Sequence, residues 1–228
     1  MEARQPSDEP VGFMDVVKLM WNRRSSRHLA FASGLTAFGA YSVLNWMASF
    51  MLRSHEISTG ELGTWLAMIF GVGGAIGILL VTRFADKLAQ HDKRWYVWIA
   101  AIASFLAVPT SVGIFTSDTA TMALLFLVIP GALMTVFVPV GVAVIHSLVG
   151  LRMRATGSAI LYLVINIVGL GGGPWSVGLL SDYLTPSLGT DSLGQAMLIL
   201  IPIAFLWSGV HFVLAGRDLR ADMERAPD

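Results

Sequence analysis

Cysteine is absent from this chain of 228 residues, which excludes disulfides, thiol catalysis and cysteine-built metal sites together. Charge is scarce too. Only 13% of residues are charged, and 15 basic side chains balance 15 acidic ones, so nothing draws the chain to nucleic acid. The marks of catalysis are also missing: no paired histidines one helical turn apart, no Gly-x-Ser-x-Gly and no phosphate-binding loop. These gaps argue against an enzyme and imply neither a metal nor a cofactor. The opening "MEARQPSDEP" lacks the basic start and apolar run of a secretory signal. No Asp, Glu, Lys or Arg falls in the middle of any long apolar run, so the chain supplies no evident proton or ion relay of its own.

What fills the chain instead is hydrocarbon. Apolar residues make up 55% of it and the mean hydropathy is +0.68, outside the range of ordinary soluble domains. Apolar runs long enough to cross a bilayer lie near 28–52, 60–82, 95–116, 119–149, 155–181 and 195–215. The fourth is long and holds Pro130 and Pro139. We read it as one kinked helix, since splitting it would put Arg152 and Arg154 on the opposite side from the other cations. With six spans, Arg23, Arg24 and Arg27, the loop Val81 to Trp98, Arg152 and Arg154, and Arg217, Arg220 and Arg225 all share one side. The positive-inside bias makes that side cytoplasmic. The expectation is a multi-pass protein of a bacterial inner membrane with both termini in the cytoplasm.

Ahead of the first span, Phe13, Val16, Val17 and Met20 recur at helical spacing. This predicts an interfacial amphipathic helix over residues 13–27. Residues 1–12 and 217–228 read as disordered tails around a six-helix domain at 28–216. Within the spans, Tyr41 and Asn45 are four residues apart and share a helix face. With Trp46 they are candidates to line a cavity, although Asn45 could equally bond a neighbouring helix and Trp46 could sit in an interfacial belt. His146 and Asn166 are further candidates, and a lone intramembrane histidine is also read as a simple interhelical bond. Glycine is abundant in "FGVGGAIG" of the second span and "NIVGLGGGPWSVG" of the fifth. Close helix packing explains small residues. Glycine runs combined with proline also suit helices that rock around a central site.

The loop "RFADK" followed by basic residues, between the second and third of six spans, resembles the signature loop of the major facilitator superfamily in the second half of those transporters. Ala85, Asp86 and Lys87 match that loop; Thr82, Ala89 and Gln90 depart from it. "DKRWYVW" and "RATGSAILYLVINIVGLGGGPWSVGLLSD" are similar to the spinster-like and related organic-anion branches. The resemblance implies an all-α membrane protein of six transmembrane helices, half of the twelve-helix fold and itself a 3+3 inverted repeat. It implies a gate of Arg83, Asp86, Lys87 and Arg94, and a penultimate span made flexible by Gly171, Gly173 and Pro174. The function it implies is secondary transport, by alternating access, of a small organic solute such as an organic anion or an amphiphilic lipid. The implied partners are the lipid bilayer, the solute, and a second six-helix half or a second copy of the chain. A non-transporting assembly subunit is the alternative, since six packed spans would serve that role as well.

Overall fold

A computed structural model describes residues 12–134 and 137–227, and among them there is helix and no strand. The expected N-terminal tail therefore lies outside the described residues, save Gly12. The helices are α1 (Phe13–Asn22), α2 (Arg24–Ser54), α3 (Thr59–Leu66), α4 (Gly74–Ala89), α5 (Trp95–Thr116), α6 (Ala120–Leu133), α7 (Phe137–Leu148), α8 (Arg154–Val164), α9 (Gly173–Leu188) and α10 (Ser192–Glu224). Two π-helical segments, Ala67–Gly73 and Ile165–Gly172, join α3 to α4 and α8 to α9. The helices thus group into six spans: α2, α3–α4, α5, α6–α7, α8–α9 and α10.

The helical path from Leu151 to Glu224 runs 74 residues almost without a break. At 1.5 Å per residue that is far longer than a bilayer is thick. Gly189 folds it in two, at φ 57°, the one positive φ among the described residues. Beyond this turn α10 packs back on α9, and Ser192 bonds Ser181 at 3.3 Å and Thr185 at 3.2 Å. At the ends of the spans opposite the termini, caps set the helix starts. Ser58 Oγ accepts from the Glu61 amide at 3.2 Å and Thr119 Oγ1 from the Met122 amide at 3.3 Å, each satisfying an amide with no partner inside its helix.

Glycine then decides which spans touch. A Cβ on Gly77 would run into the backbone of Ala132, joining the second span to the fourth. One on Gly169 would strike Ala37, and one on Gly173 would lie 2.5 Å from the Phe38 carbonyl oxygen, joining the fifth span to the first. Exchanging spans 1–3 with spans 4–6 converts the first pair into the second. The π segments obey the same exchange, each lying in the middle helix of its three-helix unit. That is the expected 3+3 repeat, visible in its contacts.

Two apolar clusters fill the interior. One, toward the termini, includes Leu29, Ile145, Leu148, Leu161 and Phe212; the other, toward the opposite end, includes Met47, Phe50, Leu124, Leu127 and Phe205. Hydroxyls tie three spans together: Thr36 Oγ1 and Ser208 Oγ lie 2.5 Å apart, Ser208 donates to the Ala32 carbonyl, and Ser104 stands 3.4 Å from Ser208. In hydrocarbon each such group needs a partner, and these supply one another.

The structure departs from the expected termini. The amphipathic helix stops at Asn22, five residues short of 27, because Arg23 is extended (φ −93°, ψ 120°) and the first span starts at Arg24. Val16 and Met20 are buried, whereas Phe13 is 53% exposed. Residues 217–224, expected as tail, continue α10, with Leu219 and Asp222 buried. The missed signal is a long-range one. Asp222 accepts from the Ser25 amide at 2.9 Å and from Ser25 Oγ at 2.6 Å, capping α2 from another helix. Arg23 donates to the carbonyls of Asp222 and Arg225.

Candidate functional site

Around the π segment of the second span, the first, second and fourth spans leave a groove of about 330 Å³. Tyr41 and Leu44 line one wall, Phe70 another, and Gly131, Met134 and Phe137 the third. Tyr41 carries the one polar side-chain group in that lining. Gly131 lets the fourth span press on the second beside the groove, since a Cβ there would meet the buried Ile69 side chain at 2.5 Å. Leu44 is 56% exposed, so the groove opens outward on the face that this chain does not cover.

Of the five cavity candidates, Tyr41 alone lines this groove. Asn45 is exposed and turns back along its own helix, its Nδ2 donating to the Tyr41 carbonyl at 2.8 Å. Asn166 does the same with the Tyr162 carbonyl, also at 2.8 Å. Trp46 is half-buried and donates from Nε1 to the Pro174 carbonyl at 2.9 Å, bridging the first and fifth spans. His146 bonds Ser158 Oγ at 2.8 Å near the start of α8, away from Tyr41. Phe70, Met134 and Phe137 were not singled out in the sequence. The one hint at Phe70 is its place beside Gly71 in the second span's glycine run.

The loop between α4 and α5 is organised around a different acid from the one the resemblance points to. Asp86, Arg83 and Lys87 are all exposed, and Asp86 Oδ1 accepts from the Tyr96 hydroxyl at 2.9 Å. Asp92 holds the loop: it accepts from the Arg94 amide at 3.0 Å and from Arg94 Nε at 2.9 Å, and pairs with Arg220 Nη2 at 2.8 Å. The Arg94 side-chain bond, aided by its amide and by Arg220, lowers the Asp92 carboxyl from an ordinary 3.8 to about 2 despite partial burial. Arg94 also lies over the Trp98 ring, 4.7 Å from its centroid. Arg94, expected in a gate with Asp86, thus bonds Asp92 instead, together with Arg220, which comes from the segment read as tail.

Gly173 and Pro174 sit where the fifth span returns from π to α geometry. Pro174 cannot donate a backbone bond, and a π segment just before a proline accommodates its ring. Gly173 is pressed on the first span, whereas a Cβ on Gly171 would meet only the Asn166 carbonyl, at 3.6 Å. The three residues expected to give flexibility thus divide into one packed, one open and one lacking a donor.

The sequence profile of the Major Facilitator Superfamily matches residues 29–226. The chain belongs to this superfamily. It is 35% identical over 207 residues to an MFS-type efflux pump of Mycolicibacterium smegmatis (strain ATCC 700084 / mc(2)155), covering 89% of this chain and 48% of that protein. A crystal structure of a bacterial homologue of the human lysosomal transporter Spinster, inward-facing and unoccupied, superposes with a TM-score of 0.69 at 18% identity, over 98% of this chain and 52% of that one. The inward-facing, occupied form gives 0.59 at 19% identity, over 89% and 49%. The chain spans about half the length of the relatives it matches. As a superfamily member with six apolar spans, it is a multi-pass integral membrane protein.

Proposed function

We propose that this chain forms one six-helix half of a secondary transporter that moves a small organic solute by alternating access. The observation that carries the reading is the groove at Tyr41, which takes its walls from both three-helix units and is left open on one side. Its open side, at Leu44, is where the second half would stand, and a site placed between two halves that move against each other is what alternating access requires. The walls are apolar with a single phenol and no cation, so this half offers hydrocarbon contact and one hydrogen bond. An amphiphile fits that lining, and any anionic group on it would be met by the second half. The efflux function named for the mycobacterial relative supports export as the direction.

In this reading the cation clusters face the cytoplasm, since the six-span path puts all of them at the end that carries the termini. The loop is the gate: Asp92, Arg94 and Arg220 fix its base, while exposed Asp86, Arg83 and Lys87 are presented to the second half. The test is binding of a fluorescent lysolipid to the assembled transporter. Tyr41→Phe should weaken it about three- to tenfold, for one lost hydrogen bond of about 1 kcal/mol, and Leu44→Trp, which enlarges an exposed side chain of the lining, should abolish it by filling the groove. Unchanged binding in both variants removes the groove from the function.

A further inference from the structure

A second groove, of about 120 Å³, lies where α1, the start of α2 and α8 meet, well away from Tyr41. Val17 and Met20 of α1 face Ile160 and Val164 across it, and Trp21 and Arg27 stand at its edge. Two features distinguish it from an ordinary packing gap. Ser26 lines it, is 1% exposed, and its Oγ has no hydrogen-bond partner. The usual escape for a helical serine, donating to the carbonyl four residues back, is closed because Asn22 lies before the first turn of α2. A buried hydroxyl left so is costly unless something else accepts its proton. The other feature is charge: Arg27 lies 5.8 Å from the centroid of the Trp21 ring, which is itself 58% exposed, and no acidic residue lines the groove.

We propose that this groove binds one anionic phospholipid. The start of an acyl chain lies between Val17, Met20, Ile160 and Val164; an ester oxygen accepts from Ser26 Oγ; the phosphate pairs with Arg27. The groove holds only a short stretch of hydrocarbon, so the rest of the chain continues into the bilayer, as it must for a lipid and need not for a soluble ligand. Exposed Phe13 and Met14 on α1 belong in the same hydrocarbon. Only the leaflet, the cytoplasmic one, depends on the orientation read above.

Native mass spectrometry of the full chain, released from detergent with phosphatidylglycerol or phosphatidylcholine of equal chain length, tests this without any transport measurement. The parent should keep one phosphatidylglycerol about fivefold more tightly than Arg27→Gln does, as one cation near a lipid surface contributes about 1 kcal/mol. Arg27→Lys should restore most of it, and Ile160→Trp, filling the groove, should remove it. Soluble glycerol phosphate should not compete. In lipid-free detergent Ser26→Ala should raise the melting temperature, a gain that shrinks when phosphatidylglycerol is added. Equal retention by parent and Arg27→Gln, no preference over phosphatidylcholine, or displacement by glycerol phosphate overturns the proposal. Because transport is not measured, a failed transporter reading leaves this result standing, and the reverse.

Discussion

Asp86 matches a family pattern and through its carboxylate bonds only the Tyr96 hydroxyl among the described residues, yet Asp92 makes the loop's ion pairs. The difference is one of reach: Asp86 lies in a helix with its side chain in solvent, whereas Asp92 lies in the turn, where its neighbour's amide and two guanidinium groups converge. Removing the Asp92 charge leaves Arg94 and Arg220 facing each other. Asp92→Asn should therefore loosen the loop by about 1–2 kcal/mol, more than the roughly 0.5 kcal/mol expected for Arg220→Gln, whose side chain is largely exposed. Hydrogen exchange of the loop amides measures both, and equal protection in Asp92→Asn and the parent contradicts the assignment. The pH sign follows from the carboxyl's lowered value. Its stabilising effect is complete above an unfolded value near 3.8 and is lost as pH falls toward about 2. Loop protection attributable to Asp92 should thus be flat from neutral pH to about pH 5 and fall only below about 4. A midpoint near 6 would mean that some other group holds the loop. The sequence shows Asp92 and Arg94 side by side in this loop but not Arg220, which is 128 residues away from Asp92 and sits in what composition alone reads as tail.

At the scale of the element, the glycine runs are legible and their division of labour is not. Composition shows small residues in the second and fifth spans. Only the packed structure separates glycines pressed on a neighbour from those facing open space. Gly77 and Gly173 are of the first kind, Gly171 of the second. Adding a methyl at Gly77 or Gly173 should cost about 1–3 kcal/mol through overpacking, lowering the melting temperature in detergent. Gly171→Ala should leave stability level or raise it by up to about 1 kcal/mol, alanine being the better helix former. If the π segment moves during the cycle, the same Gly171→Ala change slows turnover of the assembled transporter while stability holds. Stability changes of equal size at Gly171 and Gly173 would contradict the distinction. The spans themselves were readable because twenty apolar residues in a row allow little else. The end of α1 was not, since amphipathic spacing continues past Asn22 while the backbone extends at Arg23.

For the whole molecule, the question is what covers the faces that this chain leaves bare. Met68, Ile76, Leu80 and Phe84 on the second span and Tyr162, Trp175, Leu179 and Tyr183 on the fifth are each more than 40% exposed. Lipid can cover the apolar ones. It cannot close a groove that contains a phenol and, in the transporter reading, must shut alternately toward two sides, and the relatives are about twice as long. The half-transporter reading therefore expects no gradient-driven uptake by the chain as a monomer. A second six-helix half, or a second copy related by a two-fold axis, should be needed. The absence of native cysteine makes the assembly measurable, since Ile76→Cys or Leu179→Cys provides the molecule's sole thiol. In an isologous dimer, a thiol near the axis gives a disulfide-linked pair on mild oxidation, and the mass in mild detergent doubles. If the partner is a different polypeptide, the chain alone stays monomeric and inactive, and co-expression with that half restores uptake. Robust uptake in liposomes by a chain shown by mass to be monomeric would refute the reading, because one groove open to lipid would then suffice for the whole cycle.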